Sequence, residues 1–219
     1  MATIASENLL KEILELTENG ETVIAARLAE SLGISSAAVS MALKRLQKKG
    51  LVRISGRHEL SLTRPGFRTA SDLVRRHRLV ERLLTDILHM PWNKVHDEAE
   101  KLEHAVSPEL EKRLLELFGK NGTCPHGNSF TPVQPFQPSA GTFRLTEAPE
   151  NKRLRVVRIA EVHEKEKEFL NSLAAVGLGP GKEVLLVRKT FDGILDLRIG
   201  GKKIVFSSQS GARIWVARV

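Results

Sequence analysis

Residues 22–50, TVIAARLAESLGISSAAVSMALKRLQKKG, read as two short helices around a glycine-containing turn. The first covers Thr22 to Leu32, Gly33-Ile34 breaks the pattern, and the second opens at Ser35 and stops at Gly50. That arrangement is the helix-turn-helix signature. In the second helix Val39, Ala42, Leu43 and Leu46 form the inward stripe. Ser35, Ser36, Ala37, Ala38, Ser40 and Met41 are then the candidates to face bases, with Ser35 equally suited to be only the helix N-cap. Small and hydroxyl side chains make few bidentate base contacts, so thymine methyl groups and DNA shape would carry much of the specificity. Lys44, Arg45, Arg57 and Arg27 are candidates for phosphate contacts, and for each an ordinary solvated surface charge is an equal alternative.

Outward from this core the pattern stays regular. Residues 6–18 carry an apolar stripe of Leu9, Leu10, Ile13, Leu14 and Leu16, closed by Asn19-Gly20. Residues 51–54 and 60–62 are short alternating runs around Ser-Gly-Arg-His-Glu, a hairpin that serves as the wing. A long helix starts at Thr63-Arg64-Pro65-Gly66 and ends before Met90-Pro91. A further helix is expected from about Asn93 to Ala105, and another over 108–118, capped by Ser107-Pro108. From Gly119 to Asn151 the chain turns rich in Pro, Gly, Ser and Thr and reads as an irregular linker. Strands are expected over 154–162, 183–190, 194–199, 203–207 and 214–217, with one helix at 165–176. The expected fold class is mainly α with a small β part: a winged helix-turn-helix over 1–72, a helical metal-binding and dimerisation domain over 73–118, the linker over 119–151, and a small antiparallel β-barrel over 152–219.

The stretch from Asn93 to His104, NKVHDEAEKLEH, places His96, Glu100, Glu103 and His104 on one helical face at roughly 100° per residue. A helix rich in Glu, Lys and His is most often just a solvated face. His77 and Glu81, a second i, i+4 pair on the preceding helix, shift the reading towards divalent-metal ligation. His96 and His104 lie about 12 Å apart along the axis and cannot share one ion, whereas Glu100, Glu103 and His104 span only about 6 Å. The spacing therefore divides into two sites per subunit, with His96 joining His77 and Glu81.

The composition sets outer bounds. The chain has 219 residues, 41% of them hydrophobic, enough for a core, and no apolar run long enough to cross a membrane. Its N-terminus lacks the pattern of a signal peptide. The single cysteine, Cys124, excludes an intrachain disulfide, fits a reducing cytoplasm and reads as a lone thiol without zinc-site spacing. A net charge of +8, with Lys44, Arg45, Lys48, Lys49, Arg53, Arg57, Arg64 and Arg68 in one region, favours a polyanionic partner.

In this order the segments RRHRLVERLLTDIL, NKVHDEAE, LEH and CPHGN resemble the diphtheria-toxin-repressor family of metal-dependent repressors. The resemblance covers nearly the whole chain. LAAVGLGPGKEV is similar to the FeoA-type domain at the C-terminus of many members. The resemblance implies a primary metal site on Glu100, Glu103 and His104, completed near Asn8, and an ancillary site on His77, Glu81 and His96, with Glu166 reaching it in some members. Three positions depart from the family pattern. Asn8 stands where Met or Asp is usual, so that ligand is a weak donor or is replaced by water or Glu7. Glu100 stands where iron-type members have Cys and manganese-type members Glu. Phe169 occupies a second C-terminal ligand position and cannot coordinate. Met41 also replaces a polar residue of better-known members.

Oxygen-rich ligation with one imidazole suits Mn2+ or Fe2+, with Zn2+, Co2+ or Ni2+ substituting in vitro. The family implies a homodimer that binds near-palindromic double-stranded operator DNA when metal is bound and represses metal-uptake genes. No membrane and no small-molecule substrate are expected. Two rivals stand beside this reading. One is a DNA-binding regulator of the same fold with structural metal sites. The other is a metalloenzyme, which lacks support: residues 96–100 are not H-E-x-x-H and no nucleophile constellation accompanies them.

Overall fold

The computed structural model describes residues 3–133, 140–160 and 166–219, which hold eight α-helices, eight β-strands and two 3-10 turns. Helix α1 (Ile4–Glu18) opens on Thr3, whose hydroxyl accepts from Ser6 N, and buries Leu9, Leu10, Ile13, Leu14 and Leu16. Helices α2 (Ala25–Ser31) and α3 (Ser36–Lys48) pack their apolar faces on α1 through Leu28, Val39, Leu43 and Leu46. Strands β1 (Val52–Ile54) and β2 (Leu60–Leu62) pair antiparallel with Arg53 opposite Ser61, forming the expected wing.

Helix α4 (Arg64–Asp86) is the spine. Thr63 caps it by accepting from Gly66 N, and Pro65 sits where no intrahelical donor is lost. Gly66 is obligatory: a Cβ there would lie 1.9 Å from the Leu51 carbonyl oxygen, so α4 leaves the wing in backbone contact. Helix α5 (Val95–Leu102) follows, then a 3-10 turn at Glu103–Ala105, and α6 (Pro108–Phe118) capped by Ser107. The single helix expected from Asn93 to Ala105 is thus corrected. It starts two residues later and tightens after Leu102, where residues advance by about 120° instead of 100°. The turn re-aims Glu103 and His104 relative to Glu100.

The C-terminal part is one six-stranded antiparallel sheet with strand order β3-β8-β4-β5-β6-β7. Its strands are β3 (Thr142–Arg144), β4 (Lys152–Ile159), β5 (Glu183–Lys189), β6 (Ile194–Ile199), β7 (Lys202–Ser207) and β8 (Ile214–Arg218). Helix α7 (Glu166–Ala175) packs Leu170 and Leu173 into the sheet core, and α8 (Ser208–Gly211) turns the chain between β7 and β8. The expected barrel is corrected: β3 and β7 are unpaired edges among the described residues, so the sheet is open. The segment expected to be wholly irregular also contributes β3, which pairs with β8. Part of the proline-rich stretch, residues 134–139, lies outside the described residues.

A register shift in β4 between Val156 and Arg158 marks a bulge. Such a bulge re-aims a side chain, and Arg158 reaches the end of α1, bonding the Glu18 carbonyl, Asn19 and Asn128. Arg144 bonds the Asn19 carbonyl beside it. The indole of Trp215 underlies both guanidinium groups, with centroids 5.5 and 5.7 Å away.

Candidate metal centre and nucleic-acid face

One helical turn of α4 separates His77 from Glu81, and α5 brings His96 against both. His77 Nε2 lies 3.1 Å from Glu81 Oε1 and 3.0 Å from His96 Nδ1. All three side chains are buried, and one donor atom from each falls within 4.8 Å of the others. The grouping read from the sequence is therefore brought together in space. Buried polar groups in that density require partners, and two imidazoles with one carboxylate are a donor set for a divalent first-row ion.

A second set shares Glu81. Cys124 and His126 flank a tight turn closed by the Gly127 N–H to the Cys124 carbonyl at 2.9 Å. His126 Nδ1 lies 3.2 Å from Glu81 Oε1, and Cys124 Sγ is 3.8 Å from the same ring nitrogen. Glu81, Cys124 and His126 again converge within 4.8 Å, all buried. This corrects the lone-thiol reading of Cys124: the partners are an imidazole two residues away and a carboxylate 43 positions back, a pairing that cysteine spacing alone cannot register. The legible signal was CPHGN itself. Gly127 has φ +85°, and a Cβ there would lie 2.1 Å from the Val157 carbonyl oxygen, so the turn sits against β4.

The remaining expected ligands occupy the other side of His77. The imidazole of His104 meets α1: Nε2 is 2.7 Å from Asn8 Oδ1 and Nδ1 is 3.1 Å from Glu7 Oε2. Glu103 is buried, with Oε1 3.7 Å from His104 Nε2 and Oε2 2.6 Å from His77 Nδ1. Oε2 also accepts from the buried Lys11 ammonium at 2.7 Å. Glu100 stands at the rim, 40% exposed, 3.6 Å from His96 Nε2. A cavity of about 300 Å3 is lined by Asn8, Lys11, Ser31, Leu32, Glu100 and Glu103. The two expected ligand groups touch where His77 meets Glu103. Sequence reasoning missed Lys11, whose place in the apolar stripe of α1 gave no sign of its partners. The Glu166 side chain lies outside the described residues. Phe169 serves the sheet core, with the Arg213 guanidinium 4.1 Å above its ring.

The charges are mutually compensated. Burial alone would raise the Glu81 carboxyl, but the His126 and His77 imidazoles hold it well below the usual carboxylate range. Burial likewise opposes ionisation of Glu103, and the His77 and Lys11 contacts win, lowering it. Burial and the Lys11 ammonium push His77 down, yet Glu81 and Glu103 outweigh them and raise it.

On the reader helix Ser35, Ser36, Ala37, Ser40, Met41, Lys44 and Arg45 are exposed and Ala38 half-buried. The Ser35 hydroxyl accepts from Ala38 N at 3.2 Å, so it caps α3. Arg57 is exposed at the wing tip. Arg27 pairs with Glu21 at 2.7 Å and lines a cleft shared with Arg144 and Arg213 of the C-terminal part.

Among the described residues no helix is long and apolar enough to cross a membrane. Three family models match: "Iron dependent repressor, N-terminal DNA binding domain" over residues 1–60, "Iron dependent repressor, metal binding and dimerisation domain" over 63–131, and "FeoA domain" over 143–218. The iron-dependent repressor IdeR of Mycobacterium tuberculosis is 30% identical, over 98% of this chain and 97% of its own length. The diphtheria toxin repressor of Corynebacterium diphtheriae is 34% identical, over 91% and 90%. The solved structure of the manganese regulator SloR superposes with a TM-score of 0.83 at 28% identity, covering 98% of each chain. With its winged reader, buried donor cluster and C-terminal sheet in one chain, the protein belongs to the diphtheria-toxin-repressor family of metal-dependent transcriptional repressors.

Proposed function

We propose that this protein binds palindromic operator DNA as a homodimer when Mn2+ or Fe2+ is bound, and so controls genes of metal-ion homeostasis. The observation that carries the reading is the placement of buried donors against α1, the helix on which the reader helices pack. His77, Glu81 and His96 form one candidate ligand set, extended through Glu81 to Cys124 and His126. Asn8, Glu100, Glu103 and His104, with Glu7 as an alternative to Asn8, form the other, and Glu166 is retained as a candidate. Hard oxygen donors with imidazole favour manganese or iron, and the thiol adds affinity for zinc, cobalt or nickel in vitro.

When bound, the ion supplies a cross-link between α1 and the α4–α5 pair. The chain's own residues do the rest. Asn8 and Glu7 hold His104, and Leu9, Leu10 and Ile13 transmit the position of α1 to α2 and α3 through a shared core. A bound ion would bias the arrangement of the reader helices only through the difference in its affinity for the two states. Ser36, Ala37, Ser40 and Met41, all exposed on α3, are the proposed base-facing residues, and exposed Lys44, Arg45 and Arg57 the proposed phosphate contacts. Arg27 is a weaker candidate because Glu21 already engages it.

The division into 1–72, 73–118, 119–151 and 152–219 is proposed as the working domain map, in a cytoplasmic regulator and not an enzyme. Exposed Ile87, Leu88, Leu102, Leu110 and Leu117, within the range matched by the dimerisation model, support a homodimer. A second reading, structural metal sites on a constitutive reader, is favoured by Lys11, which already supplies Glu103 with a cation. Anaerobic selection of duplexes from a randomised pool with manganese, ferrous iron or chelator separates them. Enrichment of a palindrome only with metal is expected, and equal enrichment in chelator would overturn the switch.

A further inference from the structure

Lys11 is the one lysine among the largest fully buried side chains of the described residues, and its ammonium ends on a carboxylate proposed to hold metal. Its Nζ lies 2.7 Å from Glu103 Oε2 and 3.1 Å from His77 Nδ1. The ammonium and the Glu103 carboxylate form an ion pair in which each side chain is only 2% exposed. Lys11 lies one helical turn from Asn8, on the same face of α1 and lining the same cavity. Of the two Glu103 oxygens, one faces His104 and the other faces Lys11 and His77.

We propose that Lys11 is an internal competitor of the divalent ion, a tethered cation that holds Glu103 in the ion-free protein and thereby raises the metal concentration at which the centre fills. The argument rests on the metal-responsive reading above and is electrostatic. An entering dication must either displace the ammonium from Glu103 or bind beside it. Displacement strands a positive charge in a buried place, and binding beside it sets two positive charges within a few ångströms in a medium of low effective dielectric. Either route weakens metal binding relative to the same centre without the charge. Lys11 thus acts on affinity while coordinating nothing, which a cation can do and a donor cannot.

The test is Mn2+ binding by equilibrium dialysis on the full chain, for the native protein, Lys11→Gln, Lys11→Met, Lys11→Arg and Glu103→Gln. Thermal unfolding is recorded for each with and without Mn2+. Lys11→Gln and Lys11→Met are expected to bind Mn2+ at least about tenfold more tightly, equivalent to about 1.4 kcal/mol. Their ion-free forms should melt lower, and the rise in Tm on adding Mn2+ should grow. Lys11→Arg, which restores a cation, should lie closest to the native affinity. Native or weaker affinity in both neutral variants, with Glu103→Gln impaired, would overturn this inference and leave the metal-responsive reading standing. Saturable binding absent from every protein, native included, would overturn both.

Discussion

Lys11 and Glu103 show how much of the site rests on single charges. Each is buried and each depends on the other, so truncation of one leaves an uncompensated ion. Glu103→Ala should cost about 3 kcal/mol of stability in urea unfolding, because the Lys11 ammonium loses its carboxylate. Glu103→Gln retains an acceptor and should cost less. His104 is 17% exposed, so His104→Ala should cost less still. Glu103→Gln and His104→Ala should both lose manganese-dependent DNA retardation. Retention in both would remove these residues from the ligand set. Charge partners contributed by another helix are invisible in a linear pattern: Lys11 and Glu103 are 92 positions apart.

At the scale of elements, α4 touches α1, β2, α5, the 3-10 turn and α6 and so links the reader to the donor cluster. Arg78, fully buried on it, donates to Glu18 at the end of α1 and to the Ser129 carbonyl, each at 2.7 Å. Arg78→Met should therefore lower stability by about 3–5 kcal/mol, since Glu18 stays buried without its counter-ion. A loss below about 1 kcal/mol in denaturant unfolding would contradict this, being the scale of an exposed ion pair. Helices with strong caps were legible: Ser107-Pro108 and Thr63 with Pro65 start where the chemistry of N-termini puts them. The 3-10 turn after Leu102 was not, because the same Glu and His spacing suits a continuing α-helix. Strand β3 hid in a segment whose prolines and glycines advertise irregularity, and its three residues are ordered by pairing with β8, 75 positions away. Sheet closure was equally illegible, since short alternating strands look the same in an open sheet and a barrel.

For the whole molecule, the donor cluster ties stability to pH from both sides. Glu81 and Glu103 lie below their ordinary value of 4.5, so the unfolded chain binds more protons near that value. Their contribution is present above pH 4.5 and is lost as pH falls below it. His77 is raised above 6.5, so its contribution is complete below pH 6.5 and is lost as pH rises through its folded pKa. The Tm of the ion-free protein should therefore peak between about pH 4.5 and 6.5 in this cluster's share, and Glu81→Gln should flatten the acid limb. A Tm that rises steadily from acid to alkaline pH in the native protein would contradict the assignment.

The seclusion of His77, Glu81 and His126 also bears on time. Nothing enters or leaves a set of side chains without solvent contact until a packed element around it parts. The Glu100 and His104 side is half-open by comparison. An occupant of the open side would follow the surrounding ion concentration promptly, while one on the closed side would leave only at the rate at which the fold breathes. One chain would then keep two clocks, a fast one reading the present abundance of metal and a slow one holding a record of the past.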